Sequence, residues 1–353
     1  MKTYLRYGTL ALVTLLILSL MFMEVFESEA SANPSGPWRS RGCGKAPPTV
    51  LGQTETLSMT FDGLNRTYNV HLPPSYDPHA PQSLVLVFHG YGGSAEEVEN
   101  EATLMSPHAD ANGYIVVYPQ STTFPGGANY GDVASWNDIS CGGSPGPAGP
   151  TCSAHAFQYP FPESCGPSEC NWCNCVDDVG FVNAMLDEIE GAYCIDLRRV
   201  YATGFSNGGM FVQRLGCDLA DRFAAIAPVH GQLAIGFNCA PDTRLSIMNV
   251  WGTQDNTLPG DGAVSSDGYY YTSVADVQAL WASSSSQNCD ANTTLYSTVA
   301  DWMRNWTCVQ RANCATGAEV VECSWRAGHW WPKTPQSSFG NDAIWEFFSK
   351  HNK

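Results

Sequence analysis

Basic residues are scarce in this chain of 353 residues. Only 17 lysines and arginines stand against 34 aspartates and glutamates, so the formal net charge is −17 at pH 7. Such a charge repels nucleic acids and anionic lipid surfaces, and neither is expected as a partner. The sequence also lacks internal repeats and any stretch typical of an interdomain linker. The roughly 320 residues that follow residue 32 therefore suit one large α/β domain.

Long apolar runs are absent after the N-terminal region. The chain opens with Lys2 and Arg6, is apolar over residues 10–23, and reaches Ala30-Ser31-Ala32, a small-x-small cleavage pattern. This order predicts a secretory signal peptide over residues 1–32, because the apolar run is too short for a typical membrane span. A membrane-anchoring helix is the alternative. We expect a secreted protein with no membrane attachment after cleavage.

The most informative motif that is present is Gly204-Phe205-Ser206-Asn207-Gly208, which separates a β-rich run from a helical pattern. Gly-x-Ser-x-Gly in this setting predicts a nucleophile elbow, a turn so tight that glycines are needed on both sides of the serine. The turn raises the Ser206 hydroxyl above the sheet edge. It also places the Asn207 backbone N–H where negative charge would develop. An ordinary turn rich in serine and glycine is the alternative.

A second turn has the features of an oxyanion-binding loop. Continuous apolar runs at residues 84–88 and 114–118 predict parallel strands joined by a helix. The first run ends at His89-Gly90-Tyr91. A glycine-rich turn at the carboxyl end of a parallel strand can aim a backbone N–H at a substrate oxygen, so Tyr91 is predicted as the second oxyanion donor. A turn that merely requires small residues is the alternative.

A catalytic serine needs a histidine to take its proton and a carboxylate to orient that histidine. Asp255 is the first candidate acid, because it follows the apolar run 245–251 directly. Asp261 and Asp267 lie farther along the same loop and are weaker candidates. The acid is therefore predicted to be Asp255, which comes after the serine in the chain order Ser, Asp, His.

Eight histidines compete for the role of the base. His329 follows the serine, the acid and the strand-like run 320–325, and it stands beside a glycine. His230 ends a strand too early in the chain order, and His351 has the character of a surface position. The sequence therefore predicts His329 as the general base.

Several segments in the same order resemble the secreted esterases grouped as the polyhydroxybutyrate depolymerase and feruloyl esterase family. Besides the elbow, these segments are His89-Gly90, Trp136-Asn137-Asp138, residues 177–181, 199–201, 221–228 and 252–255, and His329 with Pro332. The resemblance covers roughly residues 55–350. It implies an α/β-hydrolase fold with a mostly parallel central sheet and helices on both faces.

The resemblance also implies the parts of the active site. Ser206, Asp255 and His329 match the family's triad, and Tyr91 and Asn207 match its oxyanion positions. No metal and no organic cofactor is needed for this chemistry. We expect residues 33–53 to form an N-terminal tail and residues 54–353 a single catalytic domain, acting as a monomer.

A cysteine-rich insertion over residues 121–175 departs from the family pattern by its length. It is rich in glycine and proline, lacks periodicity, and holds six of the 14 cysteines, at positions 141, 152, 165, 170, 173 and 175. The last four could be read as a zinc cluster, but the thiols of an exported chain are oxidised. We therefore expect disulfides that hold the insertion over the active-site face, with the pairing left open.

Three tryptophans are candidates for substrate binding, because aromatic rings stack on sugars and phenolic acids. They are Trp136, Trp330 and Trp331; each could instead be a core residue. The expected activity is hydrolysis of feruloyl or related polysaccharide esters through an acyl-enzyme. Polyhydroxyalkanoate, polyester or acetylxylan hydrolysis is the alternative, and the absence of a threonine-rich linker or polymer-binding domain argues against solid polyester.

Two other functional classes remain open at this stage. A secreted serine peptidase is compatible with the triad alone, and a non-catalytic binding protein on a hydrolase scaffold is the more distant reading. Sequons at Asn65, Asn292 and Asn305 are candidate glycan sites.

Overall fold

Most of the chain that follows the predicted signal peptide is described by a computed structural model. Residues 36–39 belong to one unit, Met1–Arg39, and Ser40–Lys353 forms a second, compact unit. The predicted signal peptide (residues 1–32) and Cys141 lie outside the described residues. Within those residues, no helix is both long and apolar enough to span a bilayer. The described residues are 36–140, 143–165, 169–299, 305–334 and 337–353.

The described elements alternate between strands and helices along much of the chain. The strands are β1 Thr54–Phe61, β2 Leu64–His71, β3 Gln82–Phe88, β4 Ile115–Pro119, β5 Thr123–Pro125, β6 Asp132–Ala134, β7 Ile195–Phe205, β8 Ala225–Val229, β9 Ser246–Gly252, β10 Thr293–Val299, β11 Trp306–Arg311 and β12 Val320–Trp325. The helices are α1 Met105–Asn112, α2 Asp178–Ala192, α3 Asn207–Asp218, α4 Val274–Ser283 and α5 Phe339–Ser349. Short helical turns lie at Ala95–Glu97, Val98–Thr103, Glu163–Cys165 and Ala220–Arg222.

A ten-stranded sheet organises the described residues, in the order β1-β2-β4-β3-β7-β8-β9-β12-β11-β10. The six central strands, in the order β4-β3-β7-β8-β9-β12, are parallel to one another. Antiparallel strands flank them on both sides. The central strands read as continuous apolar runs because both of their faces are covered. The prediction of a mostly parallel central sheet is confirmed.

Two apolar cores lie on opposite faces of the sheet. Alternate residues of β3 divide between them: Leu84 and Leu86 belong to one core, and Val85 and Val87 belong to the other. The first core also contains apolar residues of α2, α3 and α4, while the second contains residues of α1 and α5. The sheet is therefore covered by helices on both faces, which leaves its edges and strand ends as places for a site.

Disulfides fix the segments that have little regular structure. Cys43 is bonded to Cys194 beside β7, which ties down part of the segment predicted as a tail. Within the insertion, Cys152 pairs with Cys170 and Cys165 pairs with Cys175. Cys165, Cys170 and Cys175, three of the four cysteines of the alternative zinc cluster, are therefore in disulfides and have no thiolate for a metal. Further bonds are Cys217–Cys239, Cys289–Cys314 and Cys308–Cys323.

Candidate active site

Ser206 lies on a sharp turn between β7 and α3. Its backbone dihedrals are φ 58° and ψ −124°, a conformation that L residues rarely adopt. A Cβ atom on Gly204 would lie 2.6 Å from the carbonyl oxygen of Gly208, and a Cβ on Gly208 would collide with the β3 backbone. Both glycines are therefore required by close backbone approach, as the elbow motif predicts.

The predicted acid and base meet at the ends of neighbouring strands. Asp255 follows β9 and His329 follows β12, and these strands are parallel neighbours in the sheet. The Nδ1 atom of His329 lies 2.8 Å from Oδ2 of Asp255, whose side chain is fully buried. The other carboxylate oxygen, Oδ1, accepts hydrogen bonds from the backbone N–H groups of Thr257 and Leu258 at 2.8 and 2.9 Å. The carboxylate is thus held in a fixed orientation.

The charge on Asp255 is strongly stabilised. Burial alone would raise its pKa, but hydrogen bonds from His230 and His329 outweigh burial and hold the pKa well below its ordinary value. Asp255 is therefore an anion throughout the physiological pH range. An anionic partner at Nδ1 directs the Nε2 atom of His329 to the task of proton transfer.

Ser206 and His329 line the same cleft. Within the described residues, neither the Ser206 hydroxyl nor the Nε2 atom of His329 has a protein hydrogen-bond partner within 3.5 Å. Both atoms are therefore available to a substrate that enters the cleft.

Two backbone N–H groups also border this cleft. Tyr91 and Asn207 line it, and in the part of the chain described here neither backbone N–H donates to a protein acceptor. Asn207 is the first residue of α3, so its N–H points out of the helix N-terminus. Unpaired N–H groups from two elements are what an oxyanion hole requires.

His89 stabilises the turn that carries Tyr91. Its Nδ1 atom donates to the carbonyl oxygen of Gly90 at 2.8 Å, and its Nε2 atom accepts from the backbone N–H of Ser121 at 3.2 Å. This pair of contacts requires the neutral tautomer with the proton on Nδ1. Burial lowers the pKa of His89 to about 4, in agreement with a neutral ring.

The Asn207 side chain joins the elbow to the cysteine-rich insertion. Its Oδ1 atom accepts from the Trp136 backbone N–H at 2.7 Å, and its Nδ2 atom donates to Oδ2 of Asp138 at 2.9 Å. The same Asp138 oxygen accepts from the indole N–H of Trp172 at 2.9 Å. Burial raises the pKa of Asp138, and these hydrogen bonds oppose that rise. The segment Trp136-Asn137-Asp138, one of those that carry the family resemblance, therefore positions the elbow through Asn207.

The prediction that three tryptophans bind substrate is wrong for two of them, Trp136 and Trp331. Trp136 is 0% exposed, stacked on Phe211 with ring centroids 5.0 Å apart, and its indole N–H donates to the His89 carbonyl oxygen. Trp331 is also buried, and its indole N–H donates to Oδ1 of Asn341. Both rings satisfy their polar atoms inside the protein, so neither offers a face to a ligand. Trp330 is 70% exposed and follows His329 directly, so its predicted role remains open.

Other aromatic residues line the cleft instead. The cleft has a volume of about 290 Å³, and Ser206 is one of the residues that line it. The aromatic side chains along its wall are Tyr91, Tyr159, Trp172, Phe205 and Tyr271. Two of them, Tyr159 and Trp172, belong to the insertion, whose irregular sequence gave no pattern from which their position could be predicted.

The sequence reasoning also missed His230, which it set aside as coming too early in the chain. Its Nδ1 atom lies 2.6 Å from the same Asp255 oxygen that His329 contacts. Two histidines and one carboxylate could in principle hold a metal ion. However, ligands around a tetrahedral zinc are separated by about 3.4 Å, given metal–ligand bonds of about 2.1 Å. The distances of 2.6 and 2.8 Å instead bring both histidine rings into direct contact with the carboxylate.

Comparison with known proteins finds esterases among the relatives of this chain. No protein-family profile matches the chain. Feruloyl esterase B of Piromyces equi is 41% identical over 97 residues, which are 26% of this chain and 18% of that protein. Feruloyl esterase D of Neurospora crassa is 27% identical over 240 residues, 68% of each chain. The chain thus spans under a fifth of the first relative's length and about two thirds of the second's.

A solved structure identifies the fold class. The acetyl xylan esterase from Aspergillus awamori superposes with a TM-score of 0.53 at 15% identity, covering 84% of this chain and 99% of that one. The protein therefore has a fold of the α/β-hydrolase type that esterases share. The resemblance to feruloyl esterases, inferred from the sequence, is confirmed by the two curated relatives.

Proposed function

We propose that the protein is a serine carboxylic ester hydrolase that acts on aromatic acyl esters of polysaccharides. The observation that carries the proposal is the 2.8 Å contact between His329 and the buried Asp255 beside Ser206 on its left-handed turn. The curated relatives described above, which are named feruloyl esterases, support the proposal.

The proposed mechanism has two halves. In the first, Ser206 attacks the ester carbonyl while Nε2 of His329 takes the hydroxyl proton, and His329 then gives this proton to the leaving alcohol. In the second, water attacks the acyl-enzyme with His329 again as the base, which releases the acid and restores Ser206. The Tyr91 and Asn207 N–H groups stabilise the oxyanion in both halves. Asp255 keeps the His329 tautomer and stabilises the imidazolium.

The cleft wall favours a flat aromatic acyl group. The rings of Tyr159 and Tyr91 pack edge to face with their centroids 5.1 Å apart, and the ring centroids of Trp172 and Tyr271 are 6.2 Å apart. These rings offer large apolar faces for stacking at a low cost in side-chain entropy. The volume of about 290 Å³ is near the lower end of small-molecule sites, so it suits one acyl group better than a polymer chain.

One polar group in this wall can form a hydrogen bond with a phenolic acyl group. Tyr271 is largely buried and lines the cleft, and within the described residues its hydroxyl makes no hydrogen bond with the protein. Burial raises its pKa well above the ordinary value, so the hydroxyl stays protonated. A protonated hydroxyl can donate to the oxygen substituents of a hydroxycinnamoyl ring.

Aromatic contacts continue from the cleft to the surface. The ring centroids of Tyr159 and Phe157 are 4.9 Å apart, and those of Phe157 and Tyr130 are 6.4 Å apart. Phe157 and Tyr130 are 44% and 47% exposed. The backbone of Phe157 is fixed by hydrogen bonds with Asp267 and Tyr269, so this exposed ring is held in place. Rigid exposed rings continuous with a cleft suit the stacking of sugars that carry the ester.

A panel of small esters tests the proposal. We expect kcat/KM for methyl ferulate to exceed that for methyl 3-hydroxybutyrate by at least about tenfold, because only the former fills an aromatic cleft. The measurement is product release by chromatography with purified full-length protein. Turnover of hydroxybutyrate oligomers without ferulate release would favour a polyester depolymerase, and turnover of acetate esters alone would favour an acetylxylan esterase. Inactivity on every ester would contradict the proposal.

A further inference from the structure

His230 occupies an unusual place at the end of β8. Its backbone φ is 49°, in the left-handed region, and its backbone N–H donates to the carbonyl oxygen of Val250 at 2.8 Å. The side chain is fully buried. A residue other than glycine in this conformation carries backbone strain that surrounding contacts must hold, and such residues cluster at functional sites.

The ring of His230 joins two loops of the active site. Its Nδ1 atom lies 2.6 Å from Oδ2 of Asp255, on the loop after β9. Its Nε2 atom lies 3.0 Å from the carbonyl oxygen of Trp330, on the loop after β12. Trp330 is the neighbour of His329 in sequence. One buried imidazole thus connects the segment that carries the acid to the segment that carries the base.

His230 and His329 share one carboxylate oxygen. Both Nδ1 atoms approach Oδ2 of Asp255, at 2.6 and 2.8 Å, and the two ring centroids are 5.0 Å apart. A hydrogen bond from His230 withdraws negative charge from the oxygen that stabilises protonated His329. The contact therefore affects the charge that Asp255 presents to His329 as well as the position of Asp255.

We propose that His230 is a positioning residue that holds the Asp255 carboxylate in place for His329 by sharing its Oδ2 atom. The proposal rests on the proposed function for its kinetic consequence, but its effect on the titration of His329 does not depend on ester turnover. The titratable groups that face the His230 ring are Asp255 and His329.

The protonation of His230 determines which contact it makes. Burial is the largest influence on its pKa and lowers it, the repulsion from His329 acts in the same direction, and the hydrogen bond to Asp255 opposes both. A neutral ring has one N–H and can donate either to Asp255 or to the Trp330 carbonyl oxygen. The 2.6 Å distance and the negative charge favour donation to Asp255.

Two conservative variants separate the contacts. His230→Asn places an amide N–H near the position of Nδ1 and keeps the donor to Asp255, and asparagine tolerates the left-handed backbone. His230→Gln places its amide near the position of Nε2, beside the Trp330 carbonyl oxygen, and loses the donor to Asp255. Without that donor, Asp255 stabilises protonated His329 more strongly, so the protonated form should persist to higher pH.

Each protein is titrated over about pH 4 to 9 by two methods. The first follows the imidazole resonances by NMR, with the His329 signal assigned by its loss in His329→Gln. The second measures kcat/KM for a small ester. Because neutral His329 is the active form, a higher pKa moves the acid limb to higher pH. We expect both curves to move upward in His230→Gln and to stay near the wild type in His230→Asn.

The outcomes are distinct for the proposal and for the function. An unchanged His329 titration in folded His230→Gln, or equal shifts in both variants, overturns the proposed role of His230. An upward NMR shift in a protein that hydrolyses no ester supports the role of His230 and contradicts the esterase proposal. If the Gln variant does not fold, a titration of His230→Asn that moves upward contradicts the proposal on its own.

Discussion

The two walls of the cleft are built in different ways. One wall carries residues at the carboxyl ends of parallel strands: Ser206 follows β7 and His329 follows β12. The buried Asp255, which follows β9, contacts His329 from inside the protein. The other wall consists largely of aromatic residues from the insertion at 121–175 and the segment around Tyr271. The first wall is fixed by the backbone of the sheet, while the second depends on disulfides and side-chain packing.

This difference separates the proposed chemistry from the proposed selectivity. A proton-transfer group must be placed to within a few tenths of an ångström of its productive position. Strand ends in a continuous sheet can provide this precision. An aromatic wall needs shape and apolar area, and an irregular segment can supply these when it is cross-linked. We therefore expect changes at the strand ends to abolish turnover, and changes in the insertion to alter which ester is preferred.

The largest effect is expected for Ser206→Ala. Loss of the hydroxyl should reduce kcat by about 10⁴- to 10⁶-fold for aromatic and acetate esters alike, since both use the same nucleophile. The control is Ser206→Gly, which should be equally inactive but more stable than Ser206→Ala by about 1 kcal/mol, because glycine relieves the left-handed strain. Ester turnover and thermal unfolding are the measurements. Substantial activity in the folded alanine variant would refute the assignment of the nucleophile.

A smaller and selective effect is expected when the insertion loses a cross-link. The double variant Cys152→Ser/Cys170→Ser should raise KM for methyl ferulate about tenfold while changing p-nitrophenyl acetate turnover less than about threefold, because the aromatic wall loses its preorganisation. Unfolding should become easier by about 3 kcal/mol. Cys289→Ser/Cys314→Ser, near the strand edge formed by β10, is the matched control. Equal losses on both esters, or the same selectivity change in the control, would contradict the division of roles.

The smallest effect is expected at the surface. Phe157→Ala should raise KM for a feruloylated polysaccharide about three- to tenfold, because one stacking contact is lost, and should leave methyl ferulate unchanged. Leu295→Ala removes another exposed apolar side chain, on the edge strand β10, and serves as the control. The two substrates are compared by initial rates. An equal effect on both would place Phe157 in the acyl site and not on the path of the sugar chain.

The sequence predicts the strand-end wall well, because its signals are local. The elbow at Ser206 has a motif, and Asp255 and His329 each follow a buried apolar run. His230 follows such a run too, and β8 and β9 are neighbours, so the same reasoning about strand ends could have brought it to Asp255. The chain order Ser, Asp, His selects a histidine that follows the acid, and His230 precedes Asp255 in the chain.

The insertion could not be predicted in the same way. Trp136 and Trp172 are both tryptophans in irregular segments, yet only Trp172 lines the cleft. Trp136 is buried because Phe88 and Phe211 pack against its ring, a contact between residues far apart in the chain. Irregular segments have no period that assigns side chains to one face, so their contacts follow from tertiary packing alone.

Covalent labelling of the nucleophile tests the central claim most directly. A fluorophosphonate reacts with a serine that a neighbouring base activates. We predict that the wild-type protein forms one adduct, which peptide mass spectrometry locates at Ser206, and that labelling is slower by at least about a hundredfold in His329→Gln. An adduct at another residue, or labelling at the wild-type rate in folded His329→Gln, would contradict the account.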